Sequence, residues 1–296
     1  SWGLKGIDRH LGDKTTVLEL FQDQSMRIPE QIAIEDRETQ LTYEELREQA
    51  SKYARFLQVS GLKVGDVVAI SMQRTTDFII RLLGILEAGG TYLPIDTEYP
   101  NERIKYIVQH SGAAFFVIDE SDENRFVELV DTSSLKVIHA IDYDGDLNVN
   151  HTEISANERA YIIYTSGTTG NPKGVVISQT SFANYVLSAT EYYVKNQQAN
   201  FALHTSISFD LTITSIFTPL ISGNKIVIYQ EDNSQILIEK ILNENKVEFV
   251  KLTPSHLNLI RESKTIKIDS NCKLRGFIVG GEKLERRLAQ EIHEMF

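Results

Sequence analysis

Short apolar runs alternate with amphipathic stretches along most of this chain, and that alternation limits the fold more than any single motif. Ile32-Ala33-Ile34, Val67 to Ser71, Thr91-Tyr92-Leu93, Ala114 to Ile118 and Val137 to Ile141 read as strands. Between them, Val17 to Phe21, Leu41 to Leu57, Thr76 to Ala88 and Asn101 to His110 carry apolar residues at helical spacing. Thr42, with Glu45 three positions on, has the spacing of a capping box and predicts a helix start. The pattern resumes with strands at Ala160 to Tyr164, Val175 to Ile177, Ile226 to Tyr229, Phe249 to Leu252 and Gly276 to Val279. A helix is expected over Ser181 to Tyr193, with helical stretches between the later strands. Strands separated by helices pair in parallel, so the fold class is α/β with mostly parallel sheets. A chain of 296 residues has room for about two such units. Residues 142–158, rich in Asp, Asn and Glu, mark the expected boundary between lobes at 15–150 and 151–296. Residues 1–14 read as a polar linker.

Charge and composition narrow the partners. Lys and Arg total 30, Asp and Glu total 41, and the formal net charge is −11. Nucleic acid and anionic membranes both require a basic face, so neither is an expected partner. No apolar run reaches the roughly 18 residues of a membrane span. The opening Ser1-Trp2-Gly3-Leu4-Lys5 has no hydrophobic signal core. One cysteine, Cys272, excludes an internal disulfide. A cytoplasmic protein is the expectation. The seven histidines show no His-x3-His pattern, so no protein metal site is expected.

The segment richest in chemistry is Tyr164-Thr165-Ser166-Gly167-Thr168-Thr169-Gly170-Asn171-Pro172-Lys173-Gly174. It holds three glycines, four aliphatic hydroxyls and one lysine. Glycines let backbone amides turn toward a ligand, hydroxyls donate to phosphate oxygens, and Lys173 adds a mobile charge. That is the inventory of a polyphosphate loop. It is not a Walker loop, in which a helix follows the lysine directly. Val175-Val176-Ile177 is β-branched, so this loop joins strand to strand. Asp210 is the lone charge among Ser206, Ile207, Ser208, Phe209, Leu211 and Ile213. Such surroundings predict a buried carboxylate in need of a cation. Gly280-Gly281-Glu282 ends the strand Phe277-Ile278-Val279, and a glycine pair there suits close approach of a flat ligand.

These residues resemble a known family. Residues 166–174 are similar to the phosphate loop of adenylate-forming enzymes, which include acyl-CoA synthetases, luciferases and the adenylation domains of nonribosomal peptide synthetases. Leu41-Thr42-Tyr43-Glu44-Glu45-Leu46 resembles the first core motif of the adenylation domains. Leu83-Gly84-Ile85-Leu86-Glu87-Ala88-Gly89-Gly90-Thr91-Tyr92-Leu93-Pro94-Ile95-Asp96 is similar to the second. Ser208-Phe209-Asp210-Leu211-Thr212 resembles the start of the amino-acid pocket. The likeness runs from about residue 15 to the end. It implies two layered α/β lobes like the large N-terminal subdomain of that family, truncated. In the family the chain continues beyond the position of Phe296 to a magnesium-holding acid, a ribose-binding aspartate and a mobile lysine-bearing lobe. The resemblance therefore implies an N-terminal portion with weak or no activity alone.

The implied reaction is amino acid plus ATP to aminoacyl-AMP and pyrophosphate, with Mg²⁺ on the phosphates. Thr168, Thr169 and Lys173 would be catalytic. Thr165, Ser166, Gly167, Gly170 and Gly174 would bind the phosphates, and Gly280, Gly281 and Glu282 would border the adenine. Asp210 would grip the substrate ammonium, with Phe209, Leu211, Thr214, His256 and Ile278 around the amino acid. Thr214 and His256 favour a polar side chain. The Asp-Leu-Thr lead resembles domains that select aspartate or asparagine, which offer a lysine at the position that falls here on His256. Implied partners are a carrier-protein domain, neighbouring synthetase domains and the missing C-terminal part. Two alternatives stand beside this reading: an acyl- or aryl-acid ligase of the same superfamily, and a non-catalytic nucleotide-binding module.

Overall fold

A computed structural model describes residues 16–127, 129, 135–139, 153–165, 171–195, 197–231, 235–268 and 270–296. The linker at 1–14, residues 142–152 of the proposed boundary, Ile141, and Ser166, Gly167, Thr168, Thr169 and Gly170 lie outside them. In chain order the elements are α1 (Val17–Arg27), β1 (Ile32–Glu35), β2 (Gln40–Thr42), α2 (Tyr43–Val59), β3 (Val67–Ser71), α3 (Thr76–Glu87), β4 (Thr91–Pro94), α4 (Asn101–Ser111), β5 (Phe115–Ile118), α5 (Glu123–Val127) and β6 (Lys136–His139). They continue with β7 (Arg159–Thr165), β8 (Lys173–Ser178), α6 (Gln179–Ala189), β9 (Phe201–Leu203), α7 (Leu211–Ser222), β10 (Ile226–Ile228), α8 (Leu237–Glu244), β11 (Phe249–Leu252), α9 (Pro254–Glu262), β12 (Gly276–Val279) and α10 (Arg286–Met295).

Local chemistry sets these boundaries. Thr42 caps α2 as its spacing predicts: the Glu45 amide donates to Thr42 Oγ1 at 3.2 Å, and the Thr42 amide donates to Glu45 Oε2 at 2.8 Å. Thr16 and Glu19 repeat the device at α1. Helix α2 packs closely on α3 because Gly84 has no side chain; a Cβ there would stand 2.8 Å from the Ala50 carbonyl oxygen. The expected helix over Ser181 to Tyr193 divides into α6 and one π turn at Thr190–Val194.

Among the described residues the strands form two six-stranded sheets, ordered β12-β11-β9-β10-β1-β2 and β6-β5-β3-β4-β7-β8. All pairings are parallel except β1 with β2 and β7 with β8. The parallel architecture is as expected, but the sheets do not divide at residue 150. β7 and β8 complete the sheet of the first half through β4, and β1 and β2 extend the sheet of the second half through β10. Periodicity shows which residues form strands but carries no record of which distant strand each one meets.

The layers follow from alternation along the strands. In β3, Val68 and Ile70 face a central core shared with α1, α2, α3, α6 and α7, while Val67 and Ala69 face an outer core with α4 and α5. Helices α8, α9 and α10 cover the outer face of the other sheet. Strands buried on both faces read as continuous apolar runs, which is why polar alternation within each strand is weak. Among the described residues no helix is long and apolar enough to cross a membrane.

Candidate functional site

In the sheet that holds β9, that strand lies between β10 on one side and β11 on the other. Open α/β sheets take ligands outside the carboxyl ends of strands at such a reversal. The chain leaves β9 at His204, turns through residues 205–210 and enters α7, while Thr253 follows the end of β11 and Gly280 the end of β12.

Lys251 sits at this reversal. It lies in β11, buried, between Val250 and Leu252, which face the outer core. Its side chain points the other way, toward α6 and α7. The ammonium donates to Thr214 Oγ1 and, at 3.1 Å, to the Tyr185 hydroxyl, and those hydroxyls bond each other. Among the described residues Lys251 has no ion-pair partner. A buried ammonium held by neutral oxygens alone is an incomplete arrangement, because desolvation of the charge is offset only in part. Tyr185 is 41% exposed, whereas Thr214 and Lys251 are buried.

Several expected residues converge here. Ile278 is the direct parallel partner of Lys251. A Cβ on Gly280 would lie 3.4 Å from Leu211 Cδ2, which places the glycine against that side chain. Thr214 follows Leu211 by one turn of α7 and bonds Lys251. His256 packs edge-on against His204, with ring centroids 5.6 Å apart, and also caps a helix. Its Nδ1 accepts from the Thr253 amide at 3.3 Å and the Thr253 hydroxyl at 2.9 Å, which closes the start of α9. A lysine, Lys251, does stand in this cluster, five positions before His256. Sequence reading passed over Lys251 and Tyr185. The available signal was a cation inside a strand whose neighbours are all apolar.

Asp210 is not buried. It precedes the first turn of α7, makes no side-chain cap bond, and is exposed together with Phe209. Its apolar neighbours in sequence wind inward around the helix start instead of enclosing it. Its charge still reaches the site: the Tyr161 hydroxyl is pushed up to about 12 by burial first, then by Tyr185 and Asp210. Asp210 has no ion-pair partner among the described residues.

Tyr161 belongs to β7, whose end carries the glycine-rich loop. Thr165 stands opposite Lys173 in the antiparallel register, so both flank the loop mouth, and both are exposed. Gly174 faces Tyr164, and a Cβ on it would stand 3.0 Å from Ile162 Cγ2 and 3.1 Å from the Tyr164 ring. Below the loop, Tyr106 donates to the Pro172 carbonyl at 3.3 Å, and His110 Nδ1 meets the Tyr164 hydroxyl at 2.8 Å. Glu282, at the glycine pair, accepts from Ser255 at 2.6 Å, the first cause of its lowered pKa. Gly281 and Glu282 are exposed at the rim.

His204 lies buried beside Lys251. Burial first, then His256 and Arg74, push it down to about 3, so its ring is neutral. Nε2 carries the proton, because its partner at 3.0 Å is the Lys251 carbonyl oxygen.

The AMP-binding enzyme family matches residues 21–296. The chain belongs to that family. Its relatives are peptide synthases. Bacitracin synthase 3 of Bacillus licheniformis is 42% identical over 289 residues, 95% of this chain and 4% of that protein. Tyrocidine synthase 3 of Brevibacillus parabrevis is 39% identical over 288 residues, 95% of this chain and 4% of that protein. The chain thus spans a small part of the length of these relatives. Among solved structures, the nonribosomal peptide synthetase FmoA3 in its AMPPNP-bound form superposes with a TM-score of 0.83 at 25% identity, over 95% of this chain and 30% of that one. The N-terminal subdomain of Klebsiella oxytoca NpsA shares the fold, with a TM-score of 0.82 at 22% identity over 97% of this chain and 72% of that one. The resemblance to synthetase adenylation domains is borne out, as is the α/β fold class.

Proposed function

We propose that this chain carries ATP-dependent activation of aspartate or asparagine as an aminoacyl-adenylate, with transfer to a carrier-protein thiol as the following step. One observation carries the choice of substrate. Lys251 is a buried cation with hydroxyl partners only, and a short side chain ending in a carboxylate or amide oxygen supplies the acceptor it lacks. Asp210, exposed and without an ion-pair partner among the described residues, supports capture of the substrate ammonium.

The chemistry needs little from the protein beyond alignment and charge. The substrate carboxylate is ionised at neutral pH and is already the nucleophile. Its oxygen bonds to the α-phosphorus while the bond from that phosphorus to the bridging oxygen breaks, and the electron pair leaves with pyrophosphate. Thr165 and Lys173, opposed at the loop mouth, are suited to the phosphate oxygens, as are Ser166, Gly167, Thr168, Thr169 and Gly170 by their composition. Gly280, Gly281 and Glu282 offer a flat approach for the adenine. Among the described residues no group of three metal-ligating side chains offers Mg²⁺ a cage. Magnesium would arrive on the triphosphate, where it neutralises charge.

ATP–pyrophosphate exchange across a panel of amino acids tests the reading, using the full-length protein that carries this chain. Aspartate or asparagine should give the fastest exchange. Faster exchange with an apolar amino acid, or with an amine-free aryl acid, overturns it.

A further inference from the structure

The stretch closing the second core motif, Leu93-Pro94-Ile95-Asp96, ends β4 in one sheet, and the loop carrying Asp210 leaves β9 in the other. The two meet. Ser206 Oγ donates to Asp96 Oδ2. The other Asp96 oxygen, Oδ1, accepts from the Glu98 amide at 3.0 Å and fixes its own turn. That turn ends at Tyr99, whose hydroxyl lies 2.9 Å from Ser208 Oγ. Ser206 and Ser208 are joined in turn, Oγ to Oγ at 3.0 Å. Asp96, Tyr99 and two serines form one closed hydrogen-bonded patch across the gap between the sheets.

Both ends of the patch are anchored. Arg125 donates to the carbonyls of Thr97 at 2.7 Å and Tyr99 at 2.8 Å, and to Asn101 Oδ1 at 2.9 Å, so the turn is held from α5. The Arg103 guanidinium covers the Tyr99 ring at 3.9 Å. Arg74, which follows β3, spans the same gap: Nη1 donates to the Thr205 carbonyl at 3.1 Å and Nε to the Tyr229 carbonyl at 3.0 Å. Residues 205–208 are thus gripped by three side chains from the opposite sheet, and Asp210 follows two residues later. Asp210 makes no side-chain cap bond to its own helix, and only its carbonyl is engaged there, by the Ile213 amide at 3.1 Å.

We propose that Asp96 is a positioning residue for amino-acid recognition: with Tyr99 and Arg74 it holds the 205–208 turn so that the Asp210 carboxylate faces the substrate ammonium. The proposal rests on the amino-acid activation reading. It gives the second core motif a function beyond packing, because the aspartate at its end reaches across to the substrate loop of the other sheet.

The test is steady-state pyrophosphate exchange in the full-length protein, with KM for amino acid and for ATP measured separately. Ser206→Ala removes the donor without touching the Asp96 turn, and Asp96→Ala removes the acceptor. Each should raise KM for the amino acid about tenfold, the worth of one hydrogen bond to a charged group, and leave KM for ATP within about twofold. The double variant should lose clearly less than the sum of the two singles, since the bond between Ser206 and Asp96 is common to both. Asp96→Asn, which keeps an acceptor oxygen, should recover most of the loss. An unchanged amino-acid KM in Ser206→Ala overturns the proposal, as does a parallel rise in both KM values or full additivity. Absence of amino-acid exchange in the unsubstituted protein would instead remove the activation reading itself.

Discussion

Two lysine-bearing clusters of the same sheet handle buried charge in opposite ways. Glu35, 8% exposed, receives Lys225 at 2.6 Å and Lys246 at 2.8 Å. Those two cations hold its carboxyl below the usual range against the opposing pull of burial, the largest single influence. That cluster is closed. Lys251, also 8% exposed, has hydroxyls around it and no carboxylate among the described residues. The first arrangement ties β1 to the strand beside it, and the second leaves a charge to be completed from outside. Burial and a lysine are common to both, so burial alone does not mark a site. An unfinished account of charge does.

Substitution can break the contrast. Lys251→Met should lower exchange with aspartate or asparagine by about 100-fold or more, since truncating one member of a buried charge pair costs about 2–5 kcal/mol in binding. Its melting temperature should hold or rise, because an uncompensated buried cation has been replaced by an apolar chain of similar length. Glu35→Gln should do the reverse. Exchange should stay unchanged, while chemical denaturation should show a loss of about 1–3 kcal/mol, below the full value for a buried pair because Lys246 is half exposed. If Glu35→Gln impairs exchange while Lys251→Met does not, the contrast has been drawn the wrong way round.

Acidity sharpens it further. His204 has a pKa near 3 in the folded chain and about 6.5 unfolded, so the unfolded state binds the extra proton between those values. Stability should therefore fall as pH drops from about 6.5 toward 3 and be indifferent to this group above that window. Glu35 adds to the same acid loss, because its depressed carboxyl contributes stability that disappears as it is protonated. Melting curves of His204→Gln against pH should show a shallower acid limb; an unaltered limb would mean the ring is not held neutral. The smallest effect belongs to His256→Ala. Loss of its bonds to Thr253 should cost about 1 kcal/mol of stability, with the amino-acid preference unmoved. A changed preference would restore His256 to the pocket wall.

Much of the fold was legible because it is local. Thr42 and Glu45 announce their helix by spacing alone, and the β-branched run after Lys173 shows that the glycine-rich loop returns as a strand. Non-local facts were not legible. Nothing near Ile32 reveals that β1 pairs with β10, some 190 positions on. Of the candidate site, Leu211, Thr214, Ile278 and Gly280 lie close to one another or to Lys251. The burial expected of Asp210 is not found, because apolar neighbours along the chain are not neighbours in space once a helix begins. His256 drew attention through its type, whereas Lys251 was hidden inside a strand that looked like ordinary core.

The exchange of strands between sheets has a consequence for how the molecule is made. As the polypeptide leaves the ribosome, β1 and β2 must wait for β10, and β4 for β7, before either sheet can close. Contacts of such long sequence separation slow folding and prolong exposure of unpaired strand edges. Splitting or recombining the gene near residue 150 would sever both sheets at once, so a productive fusion point has to lie outside the interleaved region altogether.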